Sequence, residues 1–159
     1  MEELSFSVRE DRISSWVLPK NSDRLYTSDQ LIDAYFYGKR NALEATKRLV
    51  DEKFSNNIDK SGFISSNLLI HLQNKKYTPV DAYLRINAID NFDIMVTVPE
   101  NEMMGDDFLD MYNVVSEIET RSKDEYYDVL ISFCPLNDNF EEKNVFSDGF
   151  LLKLAKDGK

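Results

Sequence analysis

The chain has 159 residues, 42% of them hydrophobic and 12% aromatic, which is enough for one sizeable core, and its formal net charge is −10. A single cysteine, Cys134, excludes an internal disulfide framework, and no apolar run approaches the roughly 18–20 residues that cross a bilayer. The opening MEELSFSVRED has neither the basic flank nor the apolar centre of a signal peptide, so the expectation is one globular domain, residues 1–159, working in the cytoplasm.

In chain order, LSFSV places Leu4, Phe6 and Val8 at alternate positions, and Ile13, Trp16, Val17 and Leu18 precede Pro19. Residues 1–26 therefore read as a short strand or a tail packed through Trp16. Thr27 or Ser28 caps the next element, with Gln30 where a capping box from Thr27 needs it. Leu31, Ile32, Tyr35, Phe36, Leu43, Leu49, Val50 and Phe54 then recur near helical spacing, which predicts a helix over 28–54. A polar stretch, SNNIDKSG, reads as a loop before a second helix in FISSNLLIHLQN, carried by Phe63, Ile64, Leu68, Leu69 and Leu72. In KKYTPVDAYLRI, Thr78 suits a cap, Pro79 the first helical position and Asp81 the first turn, so a third helix is expected over 79–86. The competing reading is a strand, because Tyr83, Arg85 and Asn87 alternate with Leu84, Ile86 and Ala88.

Two later segments, FDIMVTVP and YDVLISFCP, share one template of aromatic, aspartate, apolar run, hydroxyl residue and proline. Between them DDFLDMYNVVSEIETRS places Phe108, Met111, Tyr112, Val115 and Ile118 on one stripe. A helix of about 16 residues spans about 24 Å, close to the rise of a seven-residue strand, so it returns the chain to the starting edge. The expectation is a right-handed βαβ unit with parallel strands over 92–98 and 127–134, buried on both faces, the N-terminal helices covering the second face. A last strand over 149–155, GFLLKLA, joins antiparallel after a polar loop. The fold class is thus α+β: a helical stretch over 27–88 packed on a βαββ lobe of mixed sheet over 89–159.

Charge is segregated along this chain. Residues 1–89 hold 12 acids and 13 bases, whereas residues 90–148 hold 16 acids and 3 bases, a net of −13. An acidic lobe repels phosphate backbones, so nucleic acid is a disfavoured partner. The one competing signal is a helix-turn-helix reading of residues 62–86, with Lys75, Lys76 and Arg85 offered to phosphate, and nothing in it marks a base-reading face. The segregation instead favours a protein partner, a basic one above all, and is compatible with association of two copies through opposite halves.

If the two strands are parallel, their carboxyl ends share an edge, the usual ligand position in open α/β sheets. That edge gathers Glu100, Asn101, Glu102, Cys134, Asn137 and Asp138, of which Glu100, Glu102, Asn137 and Asp138 are the ligand-binding candidates. Glu100, Glu102 and Asp138 offer oxygens to Mg²⁺ or Mn²⁺ and would support a metal-dependent hydrolase or transferase, although their spacing matches no metal loop and a solvated acidic rim is the simpler reading. Asp93 and Asp128 are expected together at the opposite edge as solvated flanking charges. A nucleotidyltransferase core needs a Gly-Ser turn before an Asp-x-Asp strand, and AIDNFDIMV supplies neither. His71 is the only histidine, and pairing it with Cys134 for nucleophilic catalysis would need a third orienting group. The five glycines form no phosphate loop or dinucleotide fingerprint. The functional expectation is a small protein-binding or accessory module using its acidic lobe.

Overall fold

The computed structural model describes residues 16–17 and 44–155. The helix expected over 28–54 lies outside the described residues as far as residue 43. The elements are β1 (Trp16–Val17), α1 (Glu44–Asn74), β2 (Ala82–Ala88), β3 (Asn91–Pro99), α2 (Glu100–Met103), α3 (Leu109–Ser122) after a 3-10 turn over Asp106–Phe108, β4 (Asp128–Leu136), α4 (Glu142–Ser147) and β5 (Leu152–Leu154). The strands form one mixed sheet in the order β1-β5-β2-β3-β4. β3 and β4 are parallel, and the other neighbours are antiparallel. The fold is α+β, with the expected parallel pair, the connecting helix and an antiparallel C-terminal strand.

The polar stretch SNNIDKSG does not break the helix, as its composition suggested; α1 runs unbroken for 31 residues. Three of its polar side chains, Asn57, Lys60 and Ser61, have tertiary partners that a helical backbone leaves within reach. Asn57 donates to the carbonyls of Ile89 (2.9 Å) and Tyr126 (2.7 Å), and Lys60 donates to the Ser122 carbonyl (2.8 Å). Ser61 donates to the Asn57 carbonyl one turn back and shares a 2.7 Å hydrogen bond with the Tyr127 hydroxyl. Trp16 Nε1 donates to the Ile58 carbonyl at 3.1 Å, which anchors β1 to the same helix. The helix ends in a Schellman motif, with Tyr77 N–H on Leu72 O and Lys76 N–H on Gln73 O. Lys76 holds the left-handed position at φ 76° that glycine usually fills.

The third helix expected over 79–86 is instead β2, so residues 82–88 do not belong to a helical stretch. Thr78 caps nothing; its N–H and hydroxyl both donate to the Glu102 carboxylate. Val80 N–H donates to the Thr97 carbonyl and Thr97 N–H to the Asp81 carbonyl, so pairing with β3 begins two residues before the strand proper. Burying Ala82 and Leu84 on one side and Tyr83 on the other demands a period of two, and that outweighs the local capping signals. The segment 62–86 therefore contains a helix end, a turn and a strand, with no second helix for a helix-turn-helix.

The register assigns each residue to a face. Phe92, Ile94, Val96 and Val98 of β3 lie level with Ala82, Leu84 and Ile86 of β2 and with Val129, Ile131 and Phe133 of β4. On this face sits the main core, with Phe54, Ile58, Leu68 and Leu72 of α1 together with Phe108, Met111 and Val115. Both long helices thus cover the same face, so the expectation that the N-terminal helix covers the second face fails; β3 is nevertheless buried on both faces, whereas β4 is not. β4 itself alternates: Val129 and Ile131 are buried, whereas Leu130 is 60% exposed. On the second face a smaller cluster of Tyr83, Val145 and Phe150, with Met95, Phe140 and Phe146 beside it, seats α4 and the chain around it over β2 and β3.

This asymmetry predicts that Ile131→Ala costs about 2–5 kcal/mol while Leu130→Ala stays within about 0.5 kcal/mol, measured by urea denaturation. In the same assay Lys76→Gly raises stability by about 0.5–1 kcal/mol, because glycine holds the left-handed cap without a Cβ penalty.

Candidate functional site

Parallel pairing through Pro99 and Leu136 does bring the carboxyl ends of β3 and β4 to one edge. What the edge does with its carboxylates differs from a metal site. Glu102 accepts from Thr78 N–H at 2.9 Å and from Thr78 Oγ1 at 2.6 Å, so both of its oxygens hold the chain that enters β2. Asn137 closes a local turn, its Oδ1 accepting from Asn139 N–H at 2.8 Å. Asp138 is exposed beyond β4, and Glu100 is half-buried at the start of α2. Among the described residues no group of three His, Cys, Asp or Glu side chains is placed to hold a metal ion.

The two nucleophile candidates are also separated. Cys134 pairs with Thr97, which puts it on the face opposite to α1, the helix that carries His71. Burial pushes the Cys134 thiol above its ordinary value, so it stays protonated where a nucleophile would need to ionise. Asp93 is not a solvated flanking charge. It is buried, and its Oδ2 accepts from Arg85 Nε (3.0 Å), Arg85 Nη2 (2.6 Å) and Asn87 Nδ2 (3.1 Å). Asp128 is half-buried and pairs with Lys123 at 3.2 Å.

What the strand-end edge does contain is a concave surface of about 540 Å³ beside α2, lined by Tyr77, Asn101, Glu102, Gly105, Asp106, Asp107 and Phe108. Its floor is aromatic, with Tyr77 and Phe108 edge to face at 5.1 Å and Phe108 on Phe133 at 4.9 Å. Its rim is acidic, from Asp106 and Asp107 with Asp110 nearby, none of which makes an ion pair among the described residues. Beside that rim stand Met104, 75% exposed, Leu109, 66% exposed, and Tyr112, 46% exposed. The Tyr77 hydroxyl is held above its ordinary value by desolvation, then by the fields of Asp107, Asp110 and Glu102. Such a surface offers carboxylates at its rim and apolar side chains at its centre; among the described residues it has no nucleophile with an adjacent base. Sequence reasoning located the edge but missed Met104 and Leu109, since a single exposed apolar residue leaves no periodic signal.

A second polar cluster lies on the open face. Tyr83 Oη donates to Glu142 Oε2 at 2.7 Å, and Lys153 Nζ lies 2.9 Å from the same carboxylate and 3.8 Å from Asp81. Arg85 reaches further, donating to the Asp148 carbonyl at 2.9 Å and lying 4.6 Å from the centre of the Phe150 ring. Gly149, at φ +100°, leaves room for this side chain, since a Cβ there would meet Arg85 Cδ at 2.9 Å. These contacts pin residues 140–150 onto β2 and make the cluster a fastening. Comparison with protein families, characterised proteins and solved structures finds no match to this chain.

Desolvation alone would raise the Glu142 pKa, but the hydrogen bonds from Lys153 and Tyr83 outweigh it and hold the group below its ordinary 4.5. Its folded-state value is therefore the lower one, so the stabilisation is full above the unfolded value and is lost as pH falls through the folded one. Chemical denaturation from pH 7 down to pH 3 should show Glu142→Gln less stable than the parent at pH 7, with the gap narrowing below pH 4.5.

Proposed function

We propose that the chain is a protein-binding or accessory module that receives a basic segment of a partner on its acidic C-terminal lobe, around residues 100–112. The supporting observation is convergence: the carboxylates of Asp106, Asp107 and Asp110, which make no ion pair among the described residues, stand beside exposed Met104, Leu109 and Tyr112 over a concave aromatic floor. A soluble surface normally scatters its exposed apolar side chains, and grouping them next to like charges is costly unless a partner covers both. Residues 90–148, at a net of −13, extend the same sign beyond the contact and guide a cationic partner toward it. Among the described residues neither a complete ligand set for a metal nor a nucleophile and base pair competes for this surface. Among the described residues no helix is long and apolar enough to cross a membrane.

The test is titration with a fluorescent lysine-rich peptide at several ionic strengths. Affinity should fall steeply as salt shortens the screening length to about 8 Å at physiological strength. Neutralising Asp106, Asp107 and Asp110 together to asparagine should weaken binding by about tenfold or more, with folding retained because all three are exposed. Equal affinity of the neutralised variant, or affinity indifferent to salt, overturns the reading.

A further inference from the structure

β4 lies at the end of the strand order, so among the described residues one of its long edges faces no other strand. Alternate residues of a strand direct their N–H and C=O groups to the same side. Ile131 N–H donates at 2.7 Å to Glu119 Oε2 of α3 and not to β3, which identifies the outward set as Val129, Ile131, Phe133 and Pro135. Asp128 N–H, of the other set, donates inward to the Asp90 carbonyl at 2.9 Å. Among the described residues, the outward carbonyls of all four residues, and the N–H groups of Val129 and Phe133, have no strand beside them. Pro135 has no N–H to offer, and Glu119 occupies that of Ile131. The edge is blunted at two positions and left open over the rest of a nine-residue strand about 30 Å long.

The surroundings of this edge are selective. Leu130, Ser132 and Pro135 are exposed along it, and on the helix side Tyr112 lies edge to face on Phe133 at 5.5 Å. Lys123 and Arg121, the bases of this neighbourhood, are already paired with Asp128 and Glu117. Glu119, Glu125 and Asp138 make no ion pair among the described residues.

We propose that the outer edge of β4 is a docking line for strand addition, and that its occupant is an extended, lysine- or arginine-rich segment of another protein. This deepens the protein-binding reading above and rests on it. The incoming strand satisfies Val129 and Phe133 with its own carbonyls and places alternate side chains against Leu130 on one face and Tyr112 on the other. Its carbonyl opposite Ile131 takes over the N–H that Glu119 holds, and the released carboxylate then faces a cationic side chain of the new strand. A second copy of this chain is the poorer occupant, because pairing two β4 edges would oppose two acidic lobes.

The experiment uses the full chain and a seven-residue probe of alternating lysine and valine. Binding is followed by fluorescence anisotropy and by residue-resolved amide hydrogen exchange. The proposal expects saturable binding that slows exchange at Val129 and Phe133. The same peptide methylated at every backbone nitrogen keeps its charges but not its N–H groups, and should bind at least about tenfold more weakly. Leu130→Lys, an exposed change that leaves the core intact, should also weaken binding severalfold. Salt-dependent binding that ignores backbone methylation and leaves exchange at Val129 and Phe133 unchanged overturns strand addition while sparing the acidic-surface reading. Absence of any binding overturns both. Slow exchange at these two residues in the free protein, scaling with its concentration, would make the occupant a second copy and overturn the proposed one.

Discussion

Parallel pairing of β3 with β4 is the constraint from which the rest of the architecture follows. Nine register pairs, from Asn91 and Asp128 to Pro99 and Leu136, run in the same direction, and a parallel pair cannot be closed by a hairpin. The chain must travel back along the sheet between the two strands, which is what the 3-10 turn and α3 accomplish. That return places Phe108, Met111 and Val115 in one core with Phe92, Ile94 and Val96, Phe108 packing on Phe133 of β4, so the crossover and the core are one requirement. It also forces the turn after β3 and the turn after β4 to the same edge, where Tyr77, Phe108 and Phe133 meet. The concave acidic surface is therefore a consequence of strand direction.

The opposite end of the sheet is secured by polar contacts. Asn57, Lys60 and Ser61 bind the carbonyls of Ile89, Tyr126 and Ser122 and the Tyr127 hydroxyl, so the middle of α1 is tied to the turns that precede β3 and β4. Burial pushes the Tyr127 hydroxyl up to about 12, keeping it neutral and able to share a hydrogen bond with Ser61 at any ordinary pH. The second face is held differently, by Arg85 on Asp93 and by Lys153 on Glu142. Those pairs are partly solvated, and their main effect is to seat the chain around α4 over Tyr83 and Met95. Beyond that cover, β4 is left with Leu130 and Ser132 in solvent.

The parts of this fold legible in the sequence were those with a period or a compulsory geometry. FDIMVTVP and YDVLISFCP announced two strands, and the amphipathic stripe of Phe108, Met111 and Val115 between them made a parallel crossover the economical connection. Elements decided by distant partners were misread. Asn57 and Ser61 look like loop residues until Ile89, Tyr126 and Tyr127 arrive to bond them, and Thr78 looks like a cap until Glu102 takes its N–H and hydroxyl. Asp93 reads as a solvated strand-end charge because Arg85, eight residues earlier, becomes its neighbour only once β2 pairs with β3. Glu100, Glu102 and Asp138 follow the carboxyl ends of β3 and β4, yet Glu102 is taken up by Thr78, and among the described residues no three carboxylates are grouped to hold a metal, since side-chain direction and hydrogen bonding are decided after the backbone is placed. The cover of both helices on a single face was equally hidden, because runs such as IMV and VLI suit a strand buried on two sides as well as one whose outer residues are left exposed.

An exposed strand edge is an aggregation hazard, and the charge distribution around β4 explains how the protein can keep one. Glu119 screens the central N–H and Pro135 removes another, but among the described residues Val129 and Phe133 have no strand to receive theirs. Pairing of two such edges would bring together lobes that each carry a net of −13 over residues 90–148, and the resulting repulsion opposes association most strongly at low salt. The same field lowers the energy of an approaching basic segment. On the proposed reading, one distribution of carboxylates opposes self-pairing and attracts a complementary chain, and the sign of the partner's charge selects between them.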